Sequence, residues 1–324
     1  MRKVLITGGA GFVGRHLAQR LLDAGDEVHC VDKIAPLTGG LHPRRWPLFK
    51  PLDYDNFIFH EEDCRAFFAR CHEGDFDYCF HLAAMVGGRA LIEDDPLALA
   101  DDLSIDADYW QWAKASRPGK SVIFSSSAVY PIRLQTRENH VLLKEDMVDF
   151  SSDIGVPDMA YGWAKLTCEY LGRLAFHKYG LKSIVYRPFS GYGEDQDDSY
   201  PFPSICKRTL KEKGKKTLAV WGTGDQMRDF IHIDDCVDGV LKTLDKIDDG
   251  GAVNLSTGTL TSFNEFAKLC AQACGYSPEI TSDVDKPEGV FARGGDTQKQ
   301  RELGFFPAVD LEDGVRRALK YLAQ

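Results

Sequence analysis

Val4-Leu5-Ile6-Thr7-Gly8-Gly9-Ala10-Gly11-Phe12-Val13-Gly14 sets a short apolar run against a glycine-rich turn. The run predicts a buried strand. From Gly14 to Ala24 the spacing turns helical, with Leu17, Leu21 and Leu22 on one side. Gly8 permits the tight turn, Gly11 lets the backbone approach a phosphate, and Gly14 lets helix and strand pack closely. A glycine trio by itself marks many turns. Here the strand–turn–helix setting is right, and a second strand, Val28–Asp32, ends on a carboxylate at the expected distance. That combination predicts a dinucleotide site. Its phosphates rest on the helix N-terminus around Gly8, Gly11, Phe12 and Val13, where free N–H groups and the helix dipole favour negative charge. Asp32 can accept from both ribose hydroxyls and repels a 2′-phosphate, which favours NAD over NADP; Lys33 next to it weighs the other way.

Working outward, the alternation continues. Phe57–His60, Tyr78–Leu82, Ser121–Ser125 and Ser183–Arg187 read as strands, and Tyr161–Tyr179 as a long helix. The expected fold is α/β, a doubly wound parallel sheet of Rossmann type with a smaller, discontinuous C-terminal lobe. Residues 1–190 are expected to bind NAD and carry the chemistry. Residues 191–324 form mainly the substrate lobe, with segments returning to the first domain. After Gly191 the pattern loosens. Pro201, Pro203, the basic helix-like stretch Lys207–Lys216 and the turn Gly222-Thr223-Gly224 suggest loops and short elements, followed by helices Phe263–Cys274 and Leu311–Leu322. Asp63 can accept from an adenine amino group or cap the helix starting near Arg65, and both readings stay open here.

Composition narrows the function. A formal charge of −10 with pI near 5.4 argues against nucleic-acid or anionic-membrane partners. A phosphorylated ligand needs only a few local cations and is not excluded. No apolar run reaches membrane-spanning length, and the glycine turn comes too early for a signal peptide. Nine cysteines without a C-x-x-C pair read as reduced thiols in the cytoplasm, each a small buried hydrophobe. No metal site is expected.

Tyr161 and Lys165 stand at i and i+4 on one helix face. An ammonium beside a phenol favours the phenolate, making a tyrosine usable as a base near neutrality. Ser125-Ser126-Ser127 leaves a strand at the carboxyl edge of the sheet, where ligands of open α/β folds collect. Either feature alone is commonplace. In this order behind a dinucleotide fingerprint they are specific, and with His81-Leu82-Ala83-Ala84, Arg187-Pro188-Phe189 and Arg228-Asp229-Phe230-Ile231-His232 the whole chain resembles the extended short-chain dehydrogenases that act as nucleotide-sugar epimerases and dehydratases. His81–Gly88, Tyr130-Pro131 and Lys286–Gly289 look most like the GDP-fucose synthase and GDP-mannose 3,5-epimerase branches.

The resemblance implies that Tyr161 is the base, Lys165 its support and Ser126, four residues before Tyr130, the catalytic hydroxyl. It adds Asp63, Cys64, Leu82, Ala83, Ala84, Tyr161 and Lys165 to the cofactor contacts. Val86, Ser126, Ser127, Ser190, Arg228 and Arg293 become contacts to a nucleotide-diphosphate sugar, the arginines suiting phosphate oxygens. Asp195–Asp198 reads as an acidic loop, either solvated or excluding anionic sugars, and His81 as a packed strand residue. The resemblance further implies a homodimer built from the helix after Ile92 and the helix bearing Tyr161, with Tyr109, Trp110, Trp112, Leu166, Tyr170 and Leu174 offered for the seam or for the core.

Departures from the family pattern shape the expected reaction. Ser127-Ala128 stands where the 4,6-dehydratases carry Asp-Glu and the decarboxylases a Glu, and where the two similar branches carry a cysteine at position 128. Hydride chemistry remains: oxidation at C4, rotation of the 4-keto sugar, and return of hydride to the other face. UDP-galactose 4-epimerase-like enzymes need only Ser, Tyr, Lys and NAD for this. The alternatives are a 4-keto-sugar reductase and, in another class, a non-catalytic NAD-binding regulator. Asp195 and Cys206 are possible substitutes for the missing acid at position 128.

Overall fold

A computed structural model describes residues 1–35, 38–71, 76–85, 95–286 and 288–324. The chain opens with strand β1 (Lys3–Thr7), helix α1 (Phe12–Asp23), β2 (Glu27–Asp32), β3 (Phe57–Glu61), α2 (Cys64–Arg70) and β4 (Tyr78–His81). Helix α3 (Leu99–Ser116), β5 (Ser121–Phe124), α4 (Met159–Tyr179) and β6 (Ser183–Pro188) follow. Contacts divide the chain into two compact units. The first comprises Met1–Val129, Met159–Arg187 and Val240–Val253; the second comprises Tyr130–Asp158, Pro188–Gly239 and Asn254–Gln324. A single division at residue 190 would put Tyr130–Asp158 in the first unit. The segment instead pairs with the late chain: Leu143 N bonds Gly294 O at 2.9 Å, and Tyr130 Oη bonds Asn254 Oδ1 at 2.6 Å.

The first unit carries a seven-stranded sheet in the order β11-β6-β5-β4-β1-β2-β3, with β11 (Asp249–Leu255) returning late to its edge. Strands β1 to β6 run parallel. The chain winds one way through β2 and β3, then restarts on the other side of β1 with β4. That reversal opens a crevice at the carboxyl ends of β1 and β4, the place where such sheets bind ligands. Gly8, at φ +71°, makes the turn; a Cβ there would lie 2.7 Å from the Ala83 amide nitrogen. A Cβ on Gly14 would lie 2.6 Å from the Gly8 carbonyl, so glycine alone lets α1 start so close to the strand. Tyr109, Trp110 and Trp112 of α3 pack with Phe67, Phe68 and Phe76 in the core of this unit. They and Leu166 are buried; Tyr170 is exposed and Leu174 half-buried.

In the second unit β7 (Ser190–Tyr192) pairs with β10 (Phe230–His232), and β8 (Thr217–Trp221) with β13 (Glu279–Asp283). Strand β9 (Met227–Arg228) lies between β12 (Thr261–Ser262) and β14 (Ala292–Arg293). Helix α5 runs Pro201–Lys211, earlier than the basic stretch at 207–216 suggested. Pro201 sits in its first turn, where a missing N–H removes no hydrogen bond, so the prolines start this helix rather than prevent it. Helix α6 runs Ile233–Thr243. Helices α7 (Phe263–Ala273), α8 (Gln298–Glu302) and α9 (Leu311–Leu322) complete the order. Phe202, Phe230, Phe263 and Phe266 form the core of this unit with Cys206 and Cys270. All nine cysteines are free thiols. Among the described residues no helix is long and apolar enough to cross a membrane, and no cluster of His, Cys, Asp and Glu could hold a metal ion.

Candidate active site

The nucleotide end forms where β1 meets α1. Helix α1 follows Gly11 as its N-cap, with no side-chain cap and no acidic residue in its first turn. Its N-terminal N–H groups are therefore available to an anion, which fits a pyrophosphate. Across the turn, Asp32 Oδ2 accepts from Ala10 N at 3.0 Å and Oδ1 from Ile34 N at 2.7 Å. Burial raises the Asp32 carboxyl, and those two amide bonds oppose it. Ile34 takes φ +50°, rare for a β-branched residue, where the chain leaves this carboxylate.

Asp63 caps α2, accepting from Arg65 N at 3.0 Å, and also receives the Arg65 guanidinium and Lys33 Nζ. The Arg65 bond holds its carboxyl far below the ordinary range, so it is an anion at any relevant pH. Cys64 is buried at the first position of α2, its thiol pushed up to about 12 by burial, and is inert. Leu82, Ala83 and Ala84 form a half-buried turn after β4, tied to β1 by Leu82 N on Thr7 O at 3.1 Å. Val86 lies outside the described residues. His81 is packed as expected: Nδ1 is 2.8 Å from Thr7 Oγ1, Nε2 is 3.0 Å from Asp106 Oδ1, and its ring stacks on Tyr109. Burial lowers its pKa against the pull of Asp106.

The three serines after β5 differ sharply. Ser125 and Ser127 are buried, whereas Ser126 is half-buried. Ser125 donates to Glu169, and Ser127 opens a 3-10 turn over Ser127–Val129. Ser126 Oγ accepts from Ala128 N at 3.1 Å, and its hydroxyl lies near enough to the Tyr161 phenol to favour the phenolate. The sheet edge thus offers one serine hydroxyl of the three to Tyr161. Helix α4 carries Tyr161 and Lys165 one turn apart, with Lys165 Nζ 5.7 Å from the Tyr161 ring centroid. Burial pushes the Tyr161 phenol up, and Lys165 and the Ser126 hydroxyl pull it back only in part, with Asp102 working against them. Burial also works against the Lys165 charge, yet Tyr161, Asp106 and Asp102 together outweigh it, so the ammonium is held protonated. Asp102 accepts from Met85 N, and burial lifts its carboxyl to about 6. Ala128 is buried and brings no acid. Cys206 is no substitute for one, because it is fully buried against Cys270 with the sulfurs 3.8 Å apart. Asp195 is half-buried in the second unit.

In the second unit Arg228 and Arg293 are register partners on adjacent strands β9 and β14. Arg228 is half-buried, donates to Met227 O at 2.8 Å and lies over the Phe263 ring. Arg293 is already engaged by Gln135 Oε1 at 2.7 Å and Asp158 Oδ2 at 2.6 Å. Ser190 is half-buried on β7, its amide bonded to Asp229 O. Asp229, to which the sequence reading assigned no role, is fully buried. It accepts from Ser256, from Thr257 N and Oγ1, and from Gly258 N, fixing the strand that carries Arg228. The other residues missed are Asp102, Asp106 and Glu169. Helical spacing was their signal: Asp102 and Asp106 stand one turn apart, and Glu169 one turn beyond Lys165.

The profile of the NAD dependent epimerase/dehydratase family matches residues 4–256. Among curated proteins, a GDP-mannose 3,5-epimerase of Oryza sativa subsp. indica is 28% identical over 97% of this chain and 80% of its own length. A GDP-L-fucose synthase of Azorhizobium caulinodans is 26% identical over 99% of this chain and 96% of its own. Among solved structures, a UDP-glucuronic acid 4-epimerase from Bacillus cereus, in complex with UDP-glucuronic acid and NAD, matches with a TM-score of 0.81 and 25% identity over 99% of both chains.

Proposed function

The chain belongs to the NAD dependent epimerase/dehydratase family, and from that premise we propose that it is an epimerase of a nucleotide-diphosphate sugar, inverting C4 through a transient 4-keto sugar. NAD is its cofactor. The observation that carries the reading is the proton-handling group Ser126, Tyr161 and Lys165 beside a position 128 that holds only a buried alanine. Deprotonation at carbon 3 or 5 calls for an acid or base that this position lacks; moving a hydride at C4 needs only the group present.

When bound, NAD supplies a hydride acceptor, and in turn a donor, at the nicotinamide. Gly8, Gly11, Phe12 and Val13 hold its pyrophosphate, Asp32 its ribose hydroxyls, Asp63 and Cys64 its adenine end, and Leu82, Ala83 and Ala84 wall the crevice. Tyr161 takes the proton of the substrate hydroxyl and returns it, with Ser126 sharing that hydrogen bond. Lys165 stabilises the phenolate and bonds the nicotinamide ribose. Val86, Ser126 and Ser127 line the sugar. Arg228 and Arg293, with Ser190, take the diphosphate, for which Arg293 must share or give up Asp158. The enzyme works as a cytoplasmic homodimer with no nucleic-acid or membrane partner.

The test is a panel of UDP-, GDP-, CDP- and dTDP-sugars without added reductant, followed by NMR in deuterated water. A 4-epimerase returns hydride to the carbon it came from, so no solvent deuterium enters the sugar. Deuterium at carbon 3 or 5 overturns the assignment. The likeness to GDP-L-fucose synthase favours a second reading, a 4-keto-sugar reductase; it would turn over no member of the panel and would consume NAD(P)H stoichiometrically on a 4-keto sugar.

A further inference from the structure

Tyr161, Lys165 and Glu169 follow one another at four-residue intervals along α4 and so share one face. The first two handle the proton in the reading above, on which this inference rests. Glu169 makes no hydrogen bond or ion pair with either. It is nearly fully buried and grips two strand ends: Arg187, at the end of β6, donates Nε to Oε1 at 3.0 Å and Nη2 to Oε2 at 2.6 Å, and Ser125, at the exit of β5, donates its hydroxyl to Oε1. Ser125 is also pinned through its backbone, with N on Tyr186 O at 2.8 Å. A two-pronged guanidinium–carboxylate contact has little angular freedom. An ion pair out of reach of water adds little to stability over an apolar pair of the same volume, so its worth is sought in the geometry it imposes.

We propose that Glu169 is a positioning residue: by clamping Ser125 and Arg187 to the helix that carries Tyr161, it fixes where the chain leaves β5 and so holds the Ser126 hydroxyl towards the Tyr161 phenol. Ser125 is the link in this arrangement, since one peptide separates its clamped side chain from the Ser126 hydroxyl. Tyr161 faces Lys165 from its own helix, Asp102 and Asp106 from α3, and Ser126 from the exit of β5. Of these, Glu169 controls the Ser126 contact alone.

Glu169→Gln leaves Arg187 buried without its counter-charge and can fail to fold. Ser125→Ala keeps the ion pair and removes only the link. The readout is the pH midpoint at which Tyr161 ionises in the NAD-loaded protein, followed by tyrosinate ultraviolet absorbance against Tyr161→Phe. Ser126→Ala removes a hydroxyl that favours the phenolate, so its midpoint moves up. Ser125→Ala is expected to move it the same way, and the double variant no further, because both act through one contact. On whichever panel sugar is turned over, Ser125→Ala lowers kcat roughly 10-fold or more with KM and NAD affinity unchanged. If Ser126→Ala moves the midpoint and Ser125→Ala does not, the positioning role is overturned while the reading of Ser126 stands. If Ser126→Ala leaves the midpoint unmoved, both are overturned.

Discussion

Lys33 Nζ lies 3.2 Å from Asp63 Oδ2, so the cation next to Asp32 is committed to a neighbouring carboxylate. The sequence left Lys33 as a residue that could welcome a 2′-phosphate. With its charge offset, Asp32 decides the ribose environment, and a 2′-phosphate meets a carboxylate. The protein is expected to bind NAD at least 10-fold more tightly than NADP by calorimetry. Asp32→Ala is expected to cost about 1.5–3 kcal/mol of NAD affinity, the worth of hydrogen bonds to a charged group. Tighter binding of NADP by the unaltered protein would sink this assignment.

Tyr161→Phe keeps the ring and removes the proton carrier. Its kcat is expected to fall by roughly two to four orders of magnitude, with NAD affinity nearly intact. Ser126→Ala costs less. Ser127→Ala costs least, since its side chain is buried in the 3-10 turn. A larger loss for Ser127→Ala than for Ser126→Ala would show that the hydroxyl beside Tyr161 is not the working one.

The base itself is uphill. Burial raises the Tyr161 phenol and Lys165 offsets that only in part. Lys165→Met removes the offset, so the pH at which activity appears is expected to shift upward as well as the rate to fall. The positive charge of oxidised nicotinamide acts in the same direction as Lys165, so both profiles should lie lower when NAD is bound. A lowered kcat with an unmoved pH profile would mean that Lys165 serves only to hold the ribose.

Asp102 gives a stability signature. Burial lifts its carboxyl to about 6, with Lys165 and the Met85 amide opposing. The folded protein therefore holds a proton there more tightly than the unfolded chain does. The stabilising contribution is complete below the ordinary carboxylate pKa of about 4 and is lost as pH rises through about 6. A gap of about two units corresponds to on the order of 3 kcal/mol. Asp102→Asn keeps an acceptor for Met85 N and is expected to flatten the fall in unfolding free energy between those pH values. An unchanged slope in urea titrations would place the titration elsewhere.

The legible part of this molecule was the part governed by local chemistry. Gly8 and Gly14 announce a turn because no other residue fits, and Asp32 ends its strand at a fixed distance from them. Tyr161 and Lys165 are readable because one helical turn separates them. What escaped depended on pairing across distant segments. Arg293 reads from the sequence as a phosphate contact, and no local pattern shows that Asp158 and Gln135, far back in the chain, hold it. Segment Tyr130–Asp158 belongs with the late chain through long-range hydrogen bonds that no local pattern encodes. Asp63 was ambiguous because capping and adenine contact ask the same of a carboxylate; the fold shows the cap. Asp102, Asp106 and Glu169 looked like ordinary helix acids until their burial was known.

The aromatic residues first considered for a subunit seam illustrate the same point and lead to the last prediction. Tyr109, Trp110, Trp112 and Leu166 are consumed by the core of the first unit. The helices still present apolar surface. Trp163 is 47% exposed, Tyr170 45% and Leu103 40%. Trp163 and Tyr170 are seven residues apart, two turns along one side of α4, with exposed Thr167 between them. In the homodimer proposed above, such a stripe offers apolar surface for a partner subunit to cover. A dimer through α3 and α4 would bury all three, and aromatic anchors of this kind typically contribute about 2 kcal/mol or more each. Trp163→Glu is therefore expected to raise the dimer Kd by 10-fold or more, and Trp163→Glu with Tyr170→Glu to give a monomer. In sedimentation at micromolar concentration the unaltered protein should run as a dimer and the double variant as a monomer with unchanged circular dichroism. A monomeric unaltered protein would remove the dimer, and a double variant that remains dimeric would move the seam away from α4.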